Sequence, residues 1–504
     1  MKLFRACILL IVFCIIAFEG HAQKRNAIWC FGDSAGIDFN NLSFPIPIAT
    51  AIDSRGSCCS ISDTSGSLLF YASGSDPLQS PLSELVIVRN STHQMMQNGD
   101  SIIGRIWYLE LTITDVPSSQ NLYYLFSAGV TTNDGLYYSV IDMNANGGLG
   151  AVLQKNIQLV NFKVVDGMRA IKHANGRDYW VIIRNASSFG DKHYLFLVTS
   201  SGITNYSNQG IGSINTTNSG RYAFSNDGTK LAYINFKGLL EIYDFDRCSG
   251  TISNPVTIHP EPPTSPYPNK FWSCEFSPNG EVLYVNTYSN NSTLYQYDLN
   301  QPNPALSSMV LDSIPNSLIG MGFLKRAPDD KIYFSMAYEC LIAPYCYPYP
   351  DSVYNYVNMN LSVINSPDSL GTACDYDPFS FFLGGKRTYY ALPNNPDYDL
   401  PAVAGSPCDT LVGVTESPEI SQPALNVFYH QAWEKAFINA SNLKGKTGKL
   451  LVYDMKGKVI YSEPLRIQHG YYTKDLSMTG FSNGMYLIKI QTEKERLTRK
   501  LMID

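Results

Sequence analysis

The sequence predicts an all-β chain, a seven-bladed β-propeller followed by a small C-terminal β-sandwich. Three observations carry that expectation. A turn flanked by aromatic and β-branched runs recurs seven times at intervals of 50–56 residues, the composition favours strands over helices, and the last 80 residues change both charge and pattern. The chain has 504 residues, of which 44% are hydrophobic, 12% aromatic and only 16% charged. Its 34 Tyr, 24 Phe and 5 Trp supply enough apolar surface to offset chain entropy, which excludes intrinsic disorder. A net charge of −6 makes nucleic acid a poor partner.

The repeat sets the architecture. Its marks are "SDTSGSLLFY" at Gly66, "VPSSQNLYYLF" at Gln120, "KHANGRDYWVII" at Gly176, "SNDGTKLAYI" at Gly228, "SPNGEVLYVN" at Gly280, "APDDKIYFS" at Asp330 and "LGGKRTYYA" at Gly384. Asn-Gly, Asp-Gly and Gly-Gly supply the positive φ that a two-residue hairpin turn requires. The aromatic run after each turn is a strand buried on both faces. Most copies continue with a further strand, such as "ELVIVRN", "GLYYSVIDM", "TLYQYDLN" or "LSVIN". Each unit of about 50 residues therefore holds three or four antiparallel strands, the size of a propeller blade. A blade cannot bury both faces alone, so the units stack, and a ring leaves no open edge. The last copy is short, and Ala27–Phe39 precedes the first complete one. This early segment is expected to add a strand to the final blade and close the ring. Six- or eight-bladed rings and an open solenoid are the alternatives.

Domain boundaries follow. Residues 1–22 have the layout of a secretory signal peptide, with Lys2 and Arg5 before the apolar run Ala6–Phe18 and cleavage expected between Ala22 and Gln23. The run is shorter than the ~20 residues of a membrane anchor, and bulky Phe13 disfavours Cys14 as a lipoprotein site. No later stretch approaches spanning length, so no transmembrane segment is expected in the mature chain. The propeller spans 23–404, a Pro-rich linker 405–424 and the sandwich 425–504. The Pro-rich composition itself begins earlier, at "PNNPDYDLP".

An exported chain favours disulfides. Nine cysteines lie beyond the signal peptide, an odd number, so at least one thiol stays free or pairs between molecules. Cys340–Cys346 and Cys374–Cys408 are close enough in sequence for local pairing, although connectivity does not follow from sequence. Zinc is disfavoured because CxxC spacing is absent.

From Leu425 onward, 13 Lys and Arg face 7 Asp and Glu, a net of +6, which leaves −13 for Gln23–Ala424. "KLLVYDMKGKVIYSE" has the pattern of a hairpin around Lys456-Gly457, and the closing "NGMYLIKIQTEKERLTRKLMID" that of another. The segments "LLVYDMKGKVIY", "DLSMTGFSNGMYLIKI" and "RLTRKLMID" resemble the C-terminal (type A) sorting domains of the Bacteroidota type IX secretion system, with Gly457, Gly484, Tyr486 and Lys500 at that family's motif positions. One departure is that the family often opens on Pro-Asn-Pro, where this chain has "SQPALNVFYHQ". The resemblance implies that the secretion machinery is a partner. It further implies that the tail guides export and is then removed, leaving a body that is secreted or attached to the outer cell surface. The body, through "IWCFGDSAGIDF", "SCCSISDTSGSLLFYASG", "YDFDRCSG", "EFSPNGEVLYV" and "GSPCDTL", resembles a group of WD-repeat-like Bacteroidota propeller proteins with no assigned activity.

Chemistry is sparse. HExxH is absent, no catalytic, cofactor or metal residue is assigned, and no cofactor is expected. His173 and His193 fall on one predicted blade, where hydrogen-bonding roles are favoured over a shared metal. "SISDTSGSLLF" has a sialidase-like Asp-box turn with one residue too many, and Arg89, Arg105, Arg169, Arg177, Arg184 and Arg221 show no common focus. Asp33, Asp38, Asp53 and Asp134 occupy predicted loops, where accepting turn hydrogen bonds is their ordinary role. The insertion Tyr338–Asn358 and the Pro-stiffened loop His259–Trp272 concentrate aromatic rings that suit recognition. Tyr347, Tyr349 and Tyr354 are the candidate ligand-binding residues. The expected function is thus a non-catalytic binding module for glycan or protein. The alternative is a carbohydrate-active hydrolase with its groups at the central channel mouth.

Overall fold

The computed structural model describes residues 24–503 apart from 75–84, 105–106, 131–134, 187–189, 263–269, 289–290, 316–318, 339–352, 410–422, 431–433, 442 and 468–469. The described residues are all-β, with three single-turn 3₁₀ segments as their only helix. The body forms a propeller. Sheet 1 has three strands, Ile28–Phe31, Asp33–Asp38 and Ile46–Asp53. Sheets 2 to 7 each have four, paired in chain order. Their first strands are Cys58–Ser62, Leu111–Asp115, Arg169–Lys172, Arg221–Phe224, Phe271–Phe276 and Ile319–Arg326.

Local chemistry explains the repetition. Six of the marks lie in the turn between first and second strands, where the backbone reverses at Gly66, Gly176, Gly228 and Gly280 and at Asp330 with positive φ. Asp63 sets the first of these turns, its Oδ1 accepting from the Ser65 and Ser67 amides at 2.8 and 2.9 Å. The aromatic runs form the second strands, of which Tyr179–Arg184 and Val282–Thr287 are buried at every residue. Neighbouring sheets interlock through these rings. Phe70 of sheet 2 meets Tyr123 of sheet 3 edge-on at 5.4 Å, while Trp29 and Phe39 of sheet 1 meet Tyr333 of sheet 7 at 6.0 and 5.5 Å. Sheet 7 thus returns to sheet 1.

Two expectations need correction. Ala27–Phe39 does not complete the final blade. Its two strands belong to sheet 1, whose only pairing with the last copy among the described residues is one bridge between Asp33 and Arg387. At that crossing Gly32 has φ +62°, and a Cβ there would lie 2.4 Å from the Arg387 carbonyl oxygen. The seventh mark, around Gly384, is no blade hairpin either. The buried run that follows it, through Tyr389, Tyr390, Asn394 and Asn395 to Tyr398, enters the channel enclosed by the first strands. Channel walls, rather than neighbouring strands, bury it.

This inserted segment holds the centre. The Tyr390 amide donates to Arg55 O at 3.1 Å and the Asn394 amide to Cys58 O at 2.9 Å. Asn394 Nδ2 donates to Leu111 O and Met168 O, both at 2.9 Å, and its Oδ1 accepts from Arg169 Nη1 at 2.7 Å. Asn395 Oδ1 accepts from the Ser60 amide at 2.9 Å, and Tyr398 Oη donates to Ile113 O at 3.0 Å. Much of the composition expected to form a linker is therefore interior structure. The segment leaves beside Ala174 and ends in a disulfide between Cys408 and Cys248, with Cα atoms 5.7 Å apart. The local pair Cys374–Cys408 does not form, because passage through the channel carries Cys408 to the far mouth and leaves Cys374 a buried free thiol. Cys340 and Cys346 lie outside the described residues.

The tail has two sheets around one apolar core. Ala424–His430, Lys435–Ser441 and Tyr472–Ser477 form the first, and Val459–Arg466, Thr447–Tyr453, Gly484–Thr492 and Arg496–Ile503 the second. It rests on the outer strand of sheet 3, Ala151–Val160. There Asn439 Nδ2 donates to Lys155 O at 3.0 Å, Gln154 Nε2 donates to Ala440 O at 2.6 Å, and Lys155 Nζ pairs with Asp475 at 3.3 Å.

Asn394→Ala leaves several buried carbonyls and one Arg169 donor without partners, each worth roughly 1 kcal/mol or more. Urea unfolding is expected to show a loss of at least about 3 kcal/mol. Unchanged stability would mean that the segment does not occupy the channel.

Candidate functional site

The first strands run parallel to the inserted segment, so one mouth of the channel collects their starts and the other collects the turn tips. At the turn-tip mouth lies a cavity of about 820 Å³. The inserted segment forms its floor, which makes it a blind cup. Phe39, Phe224 and Leu400 supply apolar wall, while Ser65, Asn226 and Asp330 bring turn tips to the rim.

The ionisable groups come from different sheets. Arg169 opens the first strand of sheet 4, Glu275 lies near the end of that of sheet 6, and Lys325 and Arg326 end that of sheet 7. Asp397 and Asp399 come from the inserted segment. Arg169 Nη2 stands 3.7 Å from Glu275 Oε2, and Arg326 Nη2 stands 3.4 Å from Asp397 Oδ2. Lys325 Nζ donates to Asn395 O at 2.8 Å and, among the described residues, has no carboxylate within 4.0 Å. Burial pushes the Lys325 amine down to about 7, with Arg169 adding to the effect. Burial, then the charge of Asp397, pushes Asp399 up to about 6. Four lining cations, Lys24, Arg169, Lys325 and Arg326, face four carboxylates, Glu275, Asp330, Asp397 and Asp399. The cup is therefore close to formal neutrality yet rich in both donors and acceptors, with two groups poised to exchange protons near neutral pH.

The opposite mouth is closed by rings. Tyr108, Trp272 and Phe323 surround the Arg221 guanidinium at 4.8, 4.6 and 5.4 Å, and Arg221 pairs with Asp166 at 3.2 Å. Glu110 lies beneath, accepting from Ser57 Oγ and from the Tyr108 amide, and burial together with Asp166 pushes its carboxyl up to about 8.

Apart from Arg169, which lines the cup, the residues singled out in the sequence fall elsewhere. Tyr347 and Tyr349 lie outside the described residues, as do Ala22, Gln23, Arg105 and Asp134. Tyr354 is half exposed beside Arg387, 4.4 Å from the guanidinium to the ring centroid, where the inserted segment begins. It is not part of the cup. His173 Nε2 lies 2.9 Å from Cys248 O, and buried His193 lies 2.7 Å from Tyr222 Oη, so the two histidines hold structure separately. Asp33 pairs with Arg387, and Asp38 accepts the Asn40 amide at 2.7 Å. The arginines disperse, with Arg169 on Glu275, Arg177 on Asp178 and Arg221 on Asp166. Among the described residues no three His, Cys, Asp or Glu gather as a metal site. The other cup residues were missed, although the repeat contained a partial signal. Five positions before each mark stand Ile61, Asp115, Ile171, Ala223, Glu275 and Lys325, and two of the three charged residues among them, Glu275 and Lys325, line the cup.

The tail's motif residues have clear roles. Gly457, at φ +77°, closes the Asp454–Lys458 turn with its amide 3.0 Å from Asp454 O. Gly484 starts a core strand opposite Ile503. Tyr486 is buried, packs on Phe481 and donates to Ser482 O at 2.6 Å, whereas Lys500 is exposed and pairs with Leu487.

The lowered Lys325 value has a signed consequence. Between about pH 7 and the unfolded value of ~10.4 the unfolded chain binds the extra proton, so this group's contribution makes stability rise with pH. Lys325→Met is expected to flatten that rise in unfolding measured from pH 7 to 10. An identical slope in both proteins would place the amine in ordinary solvent.

Residues 433–504 match the family model described as the secretion system C-terminal sorting domain. The first tail strand, Ala424–His430, pairs with Lys435–Ser441 and so extends that unit upstream of the matched region. No curated protein matches the chain. Among solved structures, the chain is similar to the Dos1 propeller, at 11% identity and TM-score 0.41 over 74% of this chain and 87% of that one. The Cps50 (Swd1) β-propeller domain of Myceliophteria thermophila gives 12% identity and 0.35 over 62% and 92%. A Bacteroides fragilis protein, provisionally described as a 6-phosphogluconolactonase, gives 10% and 0.42 over 74% and 98%. The chain therefore ends in a C-terminal sorting domain of the type IX secretion system, and it is exported to the cell surface or secreted.

Proposed function

We propose that the exported body is a seven-bladed propeller that binds a ligand without transforming it, and that the tail is a small β-sandwich spent on delivery. The ligand is held in the blind cup. The observation that carries this reading is the inserted segment, which turns a channel into a dead-ended recess and engages Arg169, Lys325 and Arg326 in fixed contacts. A recess with balanced charge, many donors and acceptors and some apolar wall suits a neutral polyhydroxylated ligand such as a glycan end.

Glycan-array binding of the full mature chain, with Lys325→Met and Asp399→Asn variants as controls, tests the proposal. Neutral glycans are expected to bind, with at least about a tenfold loss in either variant, the effect of ~1.4 kcal/mol of lost polar contact. Binding that ignores both substitutions would move the site away from the cup. The hydrolase reading is favoured by one feature, the lowered Lys325 amine and the raised Asp399 carboxyl lining the same cup. Release of shorter glycans during prolonged incubation would replace binding by catalysis.

For the tail, deleting Thr479–Asp504 removes two strands of its second sheet, Gly484–Thr492 and Arg496–Ile503. The truncated chain is expected to accumulate in the periplasm, read by cell fractionation. Its normal appearance outside the cell would refute the sorting role of this segment.

A further inference from the structure

The ring-closed mouth carries cations that the fold does not neutralise. Arg55 lies between two rings, its guanidinium 5.4 Å from the centroid of Tyr108 and 5.3 Å from that of Tyr390. Among the described residues no side-chain hydrogen bond or ion pair holds it, and it is only partly buried. Beneath it, the Glu110 carboxyl is occupied by Ser57 Oγ and the Trp107 and Tyr108 amides and pushed up by burial, and Asp166 is already taken by Arg221. Lys270 repeats the arrangement, its Nζ 5.5 Å from the centroid of Phe236, and among the described residues no carboxylate lies within 4.0 Å of it. The rings between them are continuous. Tyr390 meets Tyr288 at 5.8 Å, and Tyr288 meets Phe236 at 6.2 Å. Tyr288 is also stacked on buried Trp272 at 4.4 Å, so it is rigidly backed. Tyr108, Phe236 and Tyr288 all keep some surface open to solvent.

Two uncompensated cations on an aromatic floor stand out in a body of net charge −13. A guanidinium whose five donors lack acceptors is preorganised for bidentate contact with a carboxylate or sulfate. Aromatic rings beside it offer stacking surface to the C–H face of a pyranose. We propose that Arg55 and Lys270, at the two ends of the Tyr390–Tyr288–Phe236 run, bind a segment of anionic polysaccharide. Consecutive acidic sugars would place one charged group on each cation and lie across the rings between. This site is separate from the cup and does not depend on how the cup is read.

Calorimetric titration of the full mature chain with a galacturonate oligomer, a sulfated galactan oligomer and a neutral galactan oligomer tests the proposal. At least one acidic oligomer is expected to bind, more weakly as salt rises, whereas any binding of the neutral one is expected to weaken with Lys325→Met in the cup and not with Arg55→Met; which acidic oligomer binds identifies carboxylate or sulfate as the recognised group. Arg55→Met should weaken that binding at least about tenfold, as expected for a lost charged hydrogen bond. Arg55→Lys should retain part of it, and Lys325→Met in the cup should leave it unchanged. Lys270→Met, at a half-buried side chain far from Arg55 in sequence, guards against a folding defect in the Arg55 variant and should also weaken binding. Acidic-oligomer affinity insensitive to both Arg55→Met and Lys270→Met, or neutral-oligomer binding weakened by them as much as the acidic, would overturn the proposal.

Discussion

The structure depends on one polar contact set in an otherwise apolar setting, the hold that Asn394 and Asn395 have on the first strands. Strands lining a propeller channel present main-chain groups to its centre, and buried groups of that kind demand partners. Water could supply them, but here a side-chain amide does. Asn394 reaches strands of sheets 3 and 4 together, and Asn395 reaches sheet 2 while its carbonyl accepts Lys325 of sheet 7. Sheets far apart in sequence are thereby tied to one short segment. The Cys248–Cys408 disulfide then fastens that segment at its exit, closing a separation of 160 residues. A crosslink over so long a loop restricts the unfolded chain strongly, by roughly 5 kcal/mol in the chain-entropy view.

Filling the channel also makes the two mouths unlike. At the turn tips the segment contributes Asp397 and Asp399, and the result is a charged, balanced recess. At the strand starts it contributes Tyr390 to a layer of rings that shuts the passage. The sorting tail touches neither mouth. Its contact lies on the outer strand of sheet 3, where Asn439 satisfies both main-chain groups of Lys155, with the Lys155 amide 3.3 Å from Asn439 Oδ1. An edge strand left bare invites unwanted pairing, and this contact covers part of one. Body and tail are thus less independent than a composition-based linker suggests.

Much of the architecture was legible in the sequence, for a physical reason. Hairpin turns need particular residues, and fully buried strands need aromatic and β-branched ones, so the marks at Gly66 through Asp330 announced six sheets directly. Sheet 1 was misassigned because its turn, at Gly32, has a different chemistry and carries no mark. The run at Gly384 was misassigned for the converse reason. A segment buried in a channel has the same apolar composition as a strand buried between sheets, and composition alone does not separate the two. The Pro-rich stretch after it deceived in a similar way, since Pro suits a linker and also a segment that makes few ladder bonds inside a tube. The cup was invisible because its acids and bases meet only after the ring closes. Glu275 and Lys325 left a trace at a shared repeat position, whereas Asp397 and Asp399 left none.

Amide hydrogen exchange over Tyr389–Tyr398 tests the central claim most directly. An inserted segment whose Tyr390 and Asn394 amides bond to Arg55 and Cys58 should exchange as slowly as Cys58–Ser62 and Leu111–Asp115. Exchange within seconds, at the rate of an exposed linker, would contradict it and leave the channel open.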